Sequence, residues 1–102
     1  MHGITVRIIE FVDEHQPGWV KCIFTDAYGK EWSVIEKIPV VTSTSLNSMS
    51  FYPTEGFIAC HILSEIEGQQ ITTIDTSKPW GINAESGETV FDVFSTQIIS
   101  VD

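Results

Sequence analysis

Apolar side chains in this chain recur with a period of two, or in short unbroken runs. The sustained period near 3.6 expected of an amphipathic helix is absent. Ile4 to Val12 is rich in β-branched residues. Val20, Cys22 and Phe24 alternate with Lys21, Ile23 and Thr25. Trp32, Val34 and Glu36 alternate with Ser33, Ile35 and Lys37. Phe57 to Ile66 is apolar on both faces, as a central strand would be. Gln70 to Thr76 is rich in threonine and isoleucine, and Thr89 to Phe94 and Gln97 to Val101 close the chain. Such side chains fit a pleated, half-buried surface, so each run is read as a strand.

Turn residues fall between the runs: Pro17-Gly18, Gly29, Pro39, Pro53 with Gly56, Gly68, Pro79 with Gly81, and Gly87. Short strands broken by turns at this spacing predict an all-β domain, a small antiparallel barrel or compact sandwich of six to seven strands. Most connections are tight enough to force antiparallel neighbours, which suggests a meander closed on itself. The exception is Thr42 to Tyr52, "TSTSLNSMSFY", a long crossover with room for one short helical turn. A third strand, a long connection and then a fourth strand is also the order of an OB-like barrel. A chain of 102 residues has room for one domain, spanning 1–102.

Three stretches resemble a pattern found in small bacterial all-β proteins of unassigned function: "GWVKC" at 18–22, "DAYGKEW" at 26–32 and "EKIPVV" at 36–41. The resemblance covers about the first half of the chain. It implies an all-β fold and no particular mechanism.

Charge narrows the partners. The chain carries 14 acidic residues against five Lys and Arg, a formal net charge of −9. The cations Arg7, Lys21, Lys30, Lys37 and Lys78 are scattered. Nucleic-acid binding neutralises phosphates with clustered Lys and Arg, so no nucleic-acid partner is expected. Anionic membrane surfaces are disfavoured on the same ground. A basic protein surface is the partner such a charge suits. The start, "MHGITVRIIEF", does not read as a secretory leader, and the expected compartment is the cytoplasm. Cys22 and Cys60 are then expected as reduced, buried thiols.

The densest chemistry is "DEHQPGW", Asp13 to Trp19. Asp13, Glu14 and His15 could bind a metal or move a proton. They precede a Pro-Gly turn, however, and consecutive residues seldom converge on one ion, so a solvated turn is the preferred reading. Cys22, Cys60 and His61 lack the paired spacing of a zinc site. No metal and no cofactor is expected. His61, in the most apolar strand, is read as a hydrogen-bonded core or interface histidine.

Trp32 is expected in the core, and Trp19 against the turn it follows. Trp80, Phe51 and Tyr52 sit in loops, where they either plug one end of the barrel, the preferred reading for Trp80, or anchor a partner. No G-x-S-x-G, S-x-x-K or glycine-rich phosphate cradle occurs. The leading expectation is a non-enzymatic binding protein whose acidic surface engages a basic protein, in an inhibitor-like or immunity-like role. The alternative is a small-ligand-binding barrel with Trp80, Tyr52 and Phe51 around its mouth, and with Trp19 these are the candidate binding residues. A hydrolase built on Asp13, Glu14 and His15 ranks last. An open sheet edge or the apolar crossover would let two copies pair as a homodimer.

Overall fold

The computed structural model describes residues 1–66 and 68–101. It is all-β. The strands are β1 (His2–Asp13), β2 (Trp19–Thr25), β3 (Glu31–Lys37), β4 (Thr54–Ile66), β5 (Ile71–Asp75), β6 (Val90–Phe94) and β7 (Ile98–Ser100). They form one antiparallel sheet in the order β3-β2-β1-β4-β5-β6, with β7 on β1, curled into a half-barrel. All seven runs read from the sequence are strands. The sheet is not a simple meander, because the 42–53 connection carries β4 past β2 to pair with β1.

Two long strands organise this sheet. β1 pairs β2 through its C-terminal half and β4 through its N-terminal half, Ile8↔Thr54 to His2↔Cys60. β4 then outruns β1, and its last residues pair only β5, from His61↔Asp75 to Ile66↔Ile71. A β-bulge lies between Ile62 and Ser64. Bulges bend and twist a strand, which suits the point where the curl passes from one half of the sheet to the other.

The inner face is filled. Ile4, Ile8, Val20, Cys22, Val34, Ile58, Ile74, Ile82 and Val93 are fully buried. Packing at two positions admits only glycine. A Cβ on Gly56 would lie 2.8 Å from the Val41 carbonyl oxygen, and one on Gly3 would lie 2.8 Å from that of Ile58.

β3 and β6 do not pair with each other. Single bonds draw that side together instead. The Ala27 amide donates to the Asp92 carbonyl, the Tyr28 hydroxyl to the Asp92 carboxylate, and the Glu85 amide to the Ser33 carbonyl. Phe91 stands edge-on to Phe24 and Trp32, at centroid distances of 5.1 and 4.9 Å. Trp32 thus joins the core as expected.

One helical turn lies at Ile38–Val41, just ahead of the Ser/Thr-rich stretch rather than inside it. Pro39 sits in its first turn, where the missing amide costs no hydrogen bond. The serines and threonines that follow bond locally instead, as when the Thr44 amide donates to Thr42 Oγ1. A 3₁₀ turn at Ser95–Gln97 leads into β7. No helix among the described residues is long and apolar enough to cross a membrane.

Candidate functional site

One end of the molecule gathers most of the residues singled out by the sequence. β1 ends at Asp13, the turn returns through Gly18, and β2 begins at Trp19. Gly18 has a φ of 93°, which makes the return tight, and its amide donates to the His15 carbonyl. The crossover loop packs against this turn. Phe11, Glu14, Gln16, Pro17, Leu46, Asn47 and Ser48 border a groove of about 250 Å³ between them.

Within the turn, Asp13 Oδ1 accepts from the His15 amide at 2.8 Å and lies 2.6 Å from His15 Nδ1. These bonds, the backbone one foremost, hold the Asp13 carboxyl below its ordinary pKa. Both side chains are exposed, and Glu14 bonds to neither. No group of three or more His, Cys, Asp or Glu side chains among the described residues is arranged to hold a metal ion. The turn therefore presents three acidic groups to solvent, counting Glu10 on β1.

The crossover presents the opposite chemistry. Phe51 is 95% exposed and Met49 is 85% exposed. The loop that carries them is tied at Asn47. Asn47 Oδ1 accepts from the Met49 amide, its carbonyl accepts from the Ser50 amide and the Tyr52 hydroxyl, and its own amide donates to Ser50 Oγ. Tyr52 packs its ring on the core while its hydroxyl holds the loop. Two large apolar side chains are thus held out in water by a hydrogen-bonded loop, beside a turn bearing exposed carboxylates.

The four aromatics named from the sequence fall in different places. Phe51 projects, Tyr52 braces the loop, and half-buried Trp19 sits beneath Lys37, 5.4 Å from ring centre to Nζ. Trp80 packs on Phe57 at 6.4 Å on the surface of the sheet and stays half-exposed. It does not plug the barrel, because Ile82 and Ala84 fill the core behind it. Beyond Trp80, Met1, His2, Cys60, His61, Ile62 and Pro79 border an open concavity of about 490 Å³.

His61 is exposed, which excludes the core half of the core-or-interface reading, because the alternation of β4 turns it away from buried Cys60. Its cross-strand neighbour is Asp75. Cys22 and Cys60 are free, buried thiols, as expected. Burial pushes Cys22 up to about 12, aided by Glu36, and Cys60 up to about 11.

Sequence reasoning passed over Asp26, the buried carboxylate that organises the β2–β3 turn. Its Oδ1 accepts from the Tyr28 and Lys30 amides and its Oδ2 from Trp32 Nε1, all at 2.9 Å. The signal was present in "DAYGKEW": an Asp opening a turn, with a Trp six residues on. Compared with family models, with curated proteins and with solved structures, the chain gives no match.

Proposed function

We propose that this protein is a non-enzymatic binding module whose acidic end engages a basic protein, as an inhibitor or immunity protein would. The observation that carries this reading is the pairing, at one end, of Phe51 and Met49 held out in solvent with exposed Glu10, Asp13 and Glu14. Apolar anchors ringed by charge are the usual anatomy of a protein interface. Burying a phenylalanine side chain contributes about 1.5–3 kcal/mol. The carboxylates would speed encounter with a cationic surface and set its orientation. The expected compartment is the cytoplasm, where both thiols remain reduced.

The filled interior favours this reading over a barrel that takes up a small ligand. The test is affinity capture with three baits from a host lysate: the native chain, Phe51→Ala, and Glu10→Gln/Asp13→Asn/Glu14→Gln. A stoichiometric basic protein held by the native bait and lost from both variants supports the proposal. Equal retention by all three, or no protein partner at low or high salt, contradicts it.

A further inference from the structure

The other end of the molecule has a different character. β4 continues past the start of β1, and among the described residues its stretch Ile62–Ile66 has no backbone partner on the edge that β1 vacates. Both faces of this overhang are open. Leu63 is 54% exposed and Ile66 is also exposed, with exposed Phe94 in register beyond Ile71. An unpaired edge carrying apolar side chains is a template for another strand.

We infer that this edge pairs antiparallel with the same stretch of a second copy of the chain, across a two-fold axis, to make one continuous sheet. Two observations favour a second copy as the occupant. First, the stretch is self-complementary. A two-fold through Ser64 sets Ile62 against Ile66 of the other copy and Leu63 against Glu65, so no carboxylate faces a carboxylate. The bulge at Leu63 and the charge on Glu65 are devices that blunt an edge against indiscriminate pairing, and this register accommodates the charge.

Second, charge is distributed to permit it. β1 runs ~36 Å from His2 to Asp13 at the usual rise per residue, in a molecule 43 Å long. Glu10, Asp13 and Glu14 therefore lie far from the overhang. Around the overhang, Glu65 and Asp75 are accompanied by His2, His61 and Lys78, and Asp75 is already bonded to Ser77. The pairing would not draw on Glu10, Asp13 or Glu14. The inference is thus independent of the partner proposed for those residues.

Sedimentation equilibrium of the whole chain tests it, from low micromolar to several hundred micromolar, at about 0.05 M and about 0.5 M sodium chloride. The expected result is a reversible monomer–dimer equilibrium that tightens with salt, because the −9 charge on each copy is screened. Leu63→Asp, which sets a carboxylate against Glu65 of the other copy, should weaken it by more than about tenfold, since a two-fold interface counts each substitution twice. Hydrogen exchange of the native chain adds a readout that needs no variant: amides within Ile62–Ile66 should gain protection as concentration rises. A monomer at every concentration and salt overturns the inference. So does a dimer that Leu63→Asp and Ile66→Lys both leave unchanged, or one that loosens as salt is added.

Discussion

Replacing Asp26 with alanine should cost the fold about 3 kcal/mol. The carboxylate is only 7% exposed and accepts three hydrogen bonds. A bond to a charged acceptor is worth about 1.5–3 kcal/mol, and an unpaired buried donor costs about 1–3 kcal/mol. Trp32 Nε1 would be left without an acceptor, and this dominates. The Tyr28 and Lys30 amides lie in a surface turn where water replaces part of what they lose. Asp26→Asn keeps an oxygen for the two amides but sets an NH₂ against the indole N–H, so about half the loss is expected.

The assay is urea unfolding followed by tryptophan fluorescence, with the slope unchanged and the midpoint lowered. The melting temperature should fall by about 12 °C or more in the alanine variant. Acid gives a second check. Burial raises the Asp26 pKa, but the bonds from Trp32, Lys30 and Tyr28 outweigh it and hold the group below its ordinary value. A carboxylate whose pKa is depressed by folding stabilises the fold above its unfolded pKa of about 4. That contribution is lost as pH falls through the folded value. The Asn variant should therefore lose less stability than the native chain between about pH 4 and pH 2. An alanine variant within about 0.5 kcal/mol of the native chain would refute the assignment of Asp26 as the keystone of this turn.

Gly56→Ala should lower stability by about 1–3 kcal/mol, read by thermal melting, because its Cβ meets the Val41 carbonyl and the Ile8 side chain at 2.8 Å. Neither thiol should react with a disulfide reagent at about pH 8 in the native protein, while denaturant should release both. Their pKa values of about 12 and 11 leave almost no thiolate. Phe51→Ala and Met49→Ala should melt within about 0.5 kcal/mol of the native chain, since neither side chain is packed.

Strand positions were legible because alternation and turn residues are local signals. Val20, Cys22 and Phe24 face inward and are buried, as their spacing requires. The pairing of β4 with β1 was not legible. It depends on where a twelve-residue connection delivers the chain, and nothing in "TSTSLNSMSFY" encodes a destination. The change of β4 partner at His61 is likewise a long-range matter. It leaves Leu63 and Ile66 exposed in a run whose composition reads as fully buried. Phe51 and Tyr52 are neighbours of similar composition, and only tertiary packing decides which of them braces the loop and which projects. Asp26 was missed because its three donors are two backbone amides and an indole N–H. Side-chain charge patterning does not reveal these.

The measurement that bears most directly on the proposed function is the affinity of the captured basic partner for the native chain and for Phe51→Ala, across a salt series. The proposal predicts that the dissociation constant of the native complex rises by more than about tenfold between about 0.1 M and about 0.5 M salt. It also predicts that Phe51→Ala costs about 2 kcal/mol at every salt concentration. A partner that binds the native chain and Phe51→Ala equally, with no dependence on salt, would contradict it.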